Sequence, residues 1–263
     1  MKERYWSPPR LIANPWLRWG LLLGIVIYLG LAVSSLEVDM ERVARGIPRS
    51  MRLFAGVLQP DFVSRGRDIV EGILESLTMT VISTFVGVLL SLPVALGSAR
   101  NLSPVPIYLL CRSIVTLSRT FQEVMIAILF VVMVGFGPLA GVLTLSFTSI
   151  GFLAKLLSED IEEIDHAQLE AMQATGGSWL QIITYGVIPQ VTPRFVGLSA
   201  YRFDINLRES TVVGVVGAGG IGDTLQTSFS RYDYSTSAAI LIVIIVLVLA
   251  TEVVSSWIRK RLQ

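Results

Sequence analysis

The 263-residue chain is short of charge. Only 16% of its residues are Asp, Glu, Lys or Arg, against 52% hydrophobic, where a soluble domain carries about 25% charge. Its net charge is +1, so no broad basic field is available to hold a nucleic acid. A single cysteine, Cys111, excludes an internal disulfide and a multi-cysteine zinc or iron–sulfur centre. A single histidine, His166, argues against a histidine-rich metal site, and no metal ligands are assigned. It lies among Glu162, Glu163 and Asp165 and reads as a solvated loop residue. The three lysines, Lys2, Lys155 and Lys260, follow no glycine-rich stretch, so the chain lacks a phosphate-binding P-loop.

What is abundant is uncharged apolar sequence. A membrane span needs about 20 mostly apolar residues. Charge-free runs cover Trp19 to Leu36, Ser76 to Ala99 and 234–251, the last built around Ala238 to Ala250. The first is too long for a typical signal core and is read as a retained span. Another run, between Glu123 and Lys155, would make one helix of about 46 Å, too long for a roughly 30 Å hydrocarbon core. The cluster Gly135-Phe-Gly137-Pro138 divides it. This predicts a hairpin, one arm starting near Thr120 after a short helix that follows Pro106, the other running from about Pro138 to Leu157. A sixth span, from near Pro189 to near Gly217, contains Arg202, Asp204, Arg208 and Glu209 and would escape a hydropathy scan. The fold class is therefore an all-α membrane protein of about six transmembrane helices. With both termini in the cytoplasm, twelve of the 21 Lys and Arg residues fall inside, seven outside and two within a span, a modest bias of the expected sign. The expected organisation is a cytoplasmic N-terminus and first span over 1–36, an external or interfacial segment over 37–71, and a core over 72–263 with a hydrophilic loop at 158–185.

The segment 37–71 conflicts with the charge bias, since it holds six arginines. Met40, Val43, Ile47, Met51, Phe54 and Leu58 recur at helical spacing. Two readings stay open: a helix lying in the membrane interface, or a connector packed on the protein's own outer surface.

Gly217-Ala-Gly219-Gly-Ile-Gly222 matches the dinucleotide fingerprint, but the acidic residue expected about 20 positions on falls within an apolar run. A tight turn or a close helix approach explains these glycines better.

The loop before the fifth span is the most informative stretch. Ala167, Ala171 and Ala174 lie on one helical face, Gly176-Gly177 ends that helix, and Ser178 with Gln181 forms a capping-box start for the next. The result is a helix–turn–helix elbow. It resembles the coupling motif of permease subunits of binding-protein-dependent ABC importers, E-A-A-x3-G-x9-I-x-L-P. Glu170, Ala171, Gly176 and Pro189 stand at the motif's spacing, while Met172, Gly186 and Ile188 depart from it. The resemblance covers about 70–262. Ser210 to Gly222 looks like the matching stretch of methionine- and phosphonate-type permeases. The additional first span, Ile47-Pro48-Arg49, Gln59-Pro60-Asp61-Phe62 and Arg119 to Glu123 look most like phosphonate and phosphite importer permeases, which would have Pro where Gln122 stands.

That resemblance implies a five-helix methionine-importer-like core with a cytoplasmic coupling helix, preceded by one extra span. It implies a non-enzymatic permease subunit in a bacterial cytoplasmic membrane, moving a phosphonate, phosphite or related phosphorus anion by alternating access. A methionine-type or other small-solute importer is the alternative. The implied partners are a second permease copy, a cytoplasmic ATPase dimer that binds ATP and Mg, an external binding protein, and lipid, with no cofactor in this chain. ATPase coupling would fall to Glu170, Ala171, Ala174, Gly176, Trp179 and Pro189. Charges within or beside spans (Arg119, Glu123, Arg202, Asp204, Arg208 and Glu209) are candidates for the translocation pathway. Structural pairing at a helix end or dimer interface is the competing reading for them. Arg208 can reach Asp204 at i, i+4, whereas Arg202 and Asp204 could pair only on an irregular helix.

Overall fold

A computed structural model describes residues 14–35 and 40–262, and among these there are helices and no strands. The cytoplasmic tail expected before position 14, and the junction at 36–39, lie outside the described residues. The chain divides into two units, Met1–Arg52 and Leu53–Gln263. The first holds α1 (Pro15–Ser34) and most of α2 (Met40–Leu58). Asn14 caps α1 by accepting the Trp16 N–H at 3.0 Å, and Pro15 occupies the first turn, where its missing N–H costs nothing. No residue of α1 is buried, as befits an apolar helix whose solvent is lipid.

The second unit is a bundle built on α3 (Gly66–Ser98) and α6 (Pro138–Glu162). These two pack along their length through small residues. On α3 the buried face reads Ser76, Thr80, Ser83, Gly87, Ser91 and Ala95, while Val81, Phe85 and Leu89 face outward. This reverses the pattern of a soluble helix. Without a hydrophobic drive between helices in lipid, close backbone approach through small side chains supplies the contact. At Gly87 a Cβ would collide with the Ser149 Cβ of α6.

The hairpin expected over 120–157 forms from α5 (Glu123–Val134) and α6, and α5 follows a separate helix, α4 (Val105–Thr120), which it meets at a 98° bend. The 12 residues of α5 reach about 18 Å, little more than half the hydrocarbon core. The 16-residue α4 is correspondingly not the short lead-in helix the sequence suggested. The turn after α5 uses Gly135 (φ 91°) and Gly137 (φ 128°), conformations closed to other residues.

Beyond α6 come α7 (His166–Ala174), the single turn α8 (Trp179–Gln181), a π-helical segment (Ile182–Val187), α9 (Ile188–Gly214), α10 (Gly220–Ser230) and α11 (Tyr234–Leu262). His166 heads α7 instead of lying in a loop, and its side chain is outside the described residues. Among the described residues four helices are long and apolar enough to cross a membrane, α1, α3, α6 and α11, and the bent α4–α5 pair adds a fifth if its two arms count as one span. With 27 residues, about 40 Å, α9 has the length of the sixth, and its charges remove it from a hydropathy scan as expected.

The second unit has two ends. At one, the Arg100 N–H donates to Glu162 (2.9 Å), Asn101 donates to the Ile161 carbonyl (2.8 Å), and the Asp165 N–H donates to Gln190 (3.1 Å). At the other, the Gly137 N–H donates to the Gly217 carbonyl at 3.0 Å.

Candidate functional site: an exposed elbow and a buried polar cluster

The elbow forms as its sequence dictates. Asp165 caps α7 by accepting the Ala167 N–H at 3.0 Å. Gly176, at φ +74°, turns the chain in the left-handed region, and its N–H closes on the Gln173 carbonyl at 3.0 Å. The capping box is present, with the Ser178 N–H donating to Gln181 Oε1 at 2.7 Å. Glu170, Ala171, Ala174 and Pro189 are all exposed. So are three large side chains that follow the turn, Trp179, Leu180 and Tyr185. Trp179 also borders an apolar groove of about 400 Å³ lined by Pro93, Leu96, Pro104 and Ile107. Of the described side chains of α7, all but the half-buried Met172 are exposed.

The π-helical segment joins the elbow to α9. Pro189 sits in the first turn of α9 and has no N–H to return to the preceding turn. The wider π register accommodates that gap, and Gln190 Nε2 donates back to the Gly186 carbonyl at 2.7 Å. Beside it, Arg194 of α9 pairs with the buried Asp160 of α6 at 3.0 Å.

The intramembrane charges of α9 sort onto two faces. Arg202, Asn206 and Glu209, at i, i+4 and i+7, face the bundle. Arg202 is only 3% exposed. Its guanidinium donates to Ser149 (2.9 Å), Thr148 (2.7 Å) and Glu209 (2.9 Å) and lies over the Phe152 ring at 5.4 Å. Asn206 donates to Thr84 of α3 (2.8 Å) and Ser149 of α6 (3.0 Å). Glu123, at the start of α5, comes within hydrogen-bonding reach of the Glu209 carboxyl. The expected Arg208–Asp204 pair forms at 3.2 Å on a different face, where Thr251 of α11 also donates to Asp204 at 3.3 Å. Arg202 and Asp204 do not pair, because two residues apart they leave a regular helix on different sides. The structure therefore brings Glu123, Arg202 and Glu209 together and keeps Asp204 and Arg208 apart from them. Arg119 belongs to neither group. It is an exposed residue in the last turn of α4, where a cation complements the helix dipole. Asn206, Thr148 and Ser149 escaped the sequence reading. The i+4 spacing of Asn206 from Arg202 was a usable signal; nothing local identified Thr148 and Ser149.

The glycine run resembles a dinucleotide loop only in letters. Gly217, Gly219 and Gly220 all have positive φ. They bring α10 so close to α3 that Glu75 accepts the Gly220 N–H at 2.9 Å and Ser76 accepts the Ile221 N–H at 3.0 Å. The helix terminus that would hold a phosphate is capped by the chain's own carboxylate. Val212 to Val216, strand-like in sequence, is helical to Gly214 and then turns.

Comparison with known proteins adds to this geometry. Residues 80–263 match the family described as binding-protein-dependent transport system inner membrane component. The chain is 40% identical over 92% of its length to the phosphate-import permease protein PhnE of Mycolicibacterium smegmatis, but spans only 45% of that protein. It is 37% identical over 92% of its length to the phosphite transport system permease protein PtxC of Stutzerimonas stutzeri, spanning 86% of it. A probable D-methionine transport system permease protein of Vibrio cholerae is more distant, at 28% identity over 66% of this chain and 83% of the relative. In fold, the chain is similar to the inward-facing MetNI methionine ABC transporter, with a TM-score of 0.66 and 24% identity over 76% of this chain and 100% of the matched one.

Proposed function

We propose, from the premise that the chain belongs to the binding-protein-dependent transport system inner membrane component family, that it is the membrane subunit of an ATP-driven importer for a phosphorus oxyanion such as phosphite or a phosphonate. The elbow is the single observation that carries the transport reading. It has the motif spacing from Glu170 to Gly176 to Pro189, it is exposed, and it is rigidly capped at both turns. In this reading it seats in a groove of a cytoplasmic ATPase subunit that binds ATP and Mg. The small side chains Ala171 and Ala174 permit close approach, and Trp179 and Leu180 supply apolar contact. Closure of the ATPase dimer then moves α7 and, through the π-helical segment, α9. To switch access decisively the two states must differ in partner affinity by several kcal/mol, on the order of 5 for a near-complete shift.

The substrate assignment rests on the names borne by the relatives, phosphate, phosphite and phosphonate permeases. An external binding protein would deliver the anion, and a second permease copy would complete the pathway. Within this chain Arg202 is 3% exposed and donates to Ser149, Thr148 and Glu209, so Arg208, 56% exposed at its side chain, is the better placed cation to meet a passing oxyanion. Guanidinium geometry suits phosphorus oxygens. The elbow would mark the cytoplasmic side. α11 runs antiparallel to α9, with Thr251 on Asp204 (3.3 Å) and Ser255 on the Ala200 carbonyl (3.1 Å), so its C-terminal part would lie on the same side.

The test is uptake. A strain deleted for the gene, complemented with the intact chain, should grow on phosphite or a phosphonate as sole phosphorus source, and Gly176→Asp should abolish both growth and co-purification of the ATPase. Normal growth of the deletion strain on both compounds overturns the substrate assignment. ATPase association that survives Gly176→Asp and Glu170→Lys together overturns the coupling assignment. Methionine uptake serves as the control for the more distant reading.

A further inference from the structure

We infer that α2 lies in the surface of the lipid bilayer, its apolar stripe among the acyl chains and its arginine stripe facing water. The helix is amphipathic to an unusual degree. At 100° per residue, Met40, Val43, Ile47, Met51, Phe54 and Leu58 fall within an arc of about 80°. The positions of Arg42, Arg45, Arg49 and Arg52 fall in another arc of about 80°, diametrically opposite. The four arginines and Glu41 leave the helix with a charge of +3.

The apolar stripe is left largely uncovered. All six of its side chains are more than half exposed, from Val43 at 52% to Leu58 at 82%. A stripe six residues long that meets only solvent is a strong demand for an apolar neighbour.

Three observations identify that neighbour as lipid. First, α2 is preceded by α1 and followed by α3, two helices long and apolar enough to span, so its ends are tied to membrane surfaces. Second, its C-terminal end is fixed at the mouth of a third span. Gly56 lies so close to the start of α11 that a Cβ there would sit 2.8 Å from the Tyr234 Cβ, and the Asp61 N–H donates to the Ser235 carbonyl at 3.2 Å. That level, where α11 begins, is where a bilayer surface falls. Third, the side chains of the stripe are of the same aliphatic and aromatic kind as those the spans leave exposed. The distribution is that of an interfacial helix, which buries one face about 5–10 Å deep and keeps its cations in water. It also accounts for the four arginine positions of α2 that run against the charge bias: an interfacial helix does not carry them into the membrane.

The experiment is a spin-label scan. The full chain carrying Cys111→Ser, assembled with its partners, receives single cysteines one at a time from Glu41 to Ala55. Each labelled protein is reconstituted in vesicles of phosphatidylethanolamine and phosphatidylglycerol. Collision with oxygen, which concentrates in lipid, is compared with collision with a water-soluble nickel chelate. The oxygen-to-nickel ratio should oscillate with the helical period, with maxima at Val43, Ile47, Met51 and Phe54 and a minimum at Arg45. A flat, nickel-dominated scan means a solvated connector and overturns the inference. Labels at Ile47 and Met51 shielded from both reagents mean a protein partner and overturn it equally. Uptake by the same labelled proteins shows that each is folded. The scan is independent of substrate, so its failure leaves the transport reading intact.

Discussion

Replacing Arg202 by Met should destabilise the bundle far more than replacing its partner Glu209 by Gln. The guanidinium makes three side-chain hydrogen bonds, to Thr148, Ser149 and Glu209, and is almost wholly buried. Hydrogen bonds within a bilayer average about 0.6 kcal/mol and reach about 1.7 each. Three of them, with a charge left uncompensated, amount to about 3 kcal/mol, the low end of the roughly 3–5 kcal/mol for breaking a buried pair. For a chain of this size that corresponds to a fall of about 6–12 °C in melting temperature. Arg202→Met leaves the carboxyls of Glu209 and Glu123 facing each other without a cation. Glu209→Gln is different. The amide oxygen still accepts from Arg202, and Glu123 remains as the acidic neighbour, so the loss should be about 1 kcal/mol, the ordinary worth of one hydrogen bond. The double variant should melt above Arg202→Met alone, because it also removes the stranded carboxyl. Thermal unfolding of the four proteins in one detergent measures this cycle. Equal losses for the two single variants, or a double variant at the sum of both, would falsify the assignment of Arg202 as a shared clamp between α6 and α9.

Four further perturbations probe other joints. Gly176→Ala forces a side chain into the left-handed region at a cost of about 1–2 kcal/mol; because the turn is exposed, the uptake per ATP hydrolysed should fall while the melting temperature of the bundle stays near that of the parent. Gly87→Val drives a methyl into Ser149 and separates α3 from α6, with an expected loss of about 1–3 kcal/mol in the same unfolding assay. Glu75→Ala leaves the Gly220 N–H without its acceptor and should cost about 0.5–2 kcal/mol, as other lost helix caps do, visible as faster amide exchange in the first turn of α10. In the loop before α3, hydrogen bonds from the Ser64 side chain and from the backbone N–H groups of Ser64 and Val63 hold the Asp61 carboxyl below the usual carboxylate range. The folded value lies below the unfolded one, so the turn's support is complete above the ordinary carboxylate range and is lost as pH falls through the lowered value. A cysteine reporter at Val63 should label faster on acidification in that window, and Asp61→Asn should remove the dependence.

Sequence made some parts of this molecule plain because they obey local rules. Charge-free length alone found α1, α3 and α11, and the spacing of Glu170, Gly176, Ser178 and Gln181 drew the elbow before any coordinates. The break near Thr120 was legible, but the 98° angle between α4 and α5 was not, because Phe121 and Gln122 carry no glycine or proline signal there. The pairing of Arg202 was hidden for another reason. The sequence offered Asp204 and Glu209 as acids on the same helix, and only packing against α6 decides that the guanidinium turns toward Thr148 and Ser149. Buried serines and threonines look like surface residues to a hydropathy scan, yet in α3 they form the inside of the bundle. The core of this bundle is therefore mixed: small polar residues line the α3–α6 contact beside large buried side chains such as Met79, Leu145 and Leu153.

On the proposed coupling, the positions of these joints determine how a push on the elbow would travel. Asn206 fastens the middle of α9 to α3 and α6, Arg202 fastens it to α6, and Asp204 fastens it to α11 through Thr251. A helix held on three sides in the interior cannot absorb displacement by bending there. Compliance is available at its ends. One is the π-helical segment beside Pro189, where the regular hydrogen-bond ladder is already interrupted. The other is the run from Gly217 to Gly220, where three residues stand at positive φ. A load applied at α7 therefore either dissipates in the first of these or moves α9 together with its partners and flexes the second. The Arg194–Asp160 ion pair and the Gln190–Asp165 hydrogen bond bridge the π-helical segment on its bundle side. They stiffen the one place where the motion would otherwise be lost, and they favour transmission over dissipation.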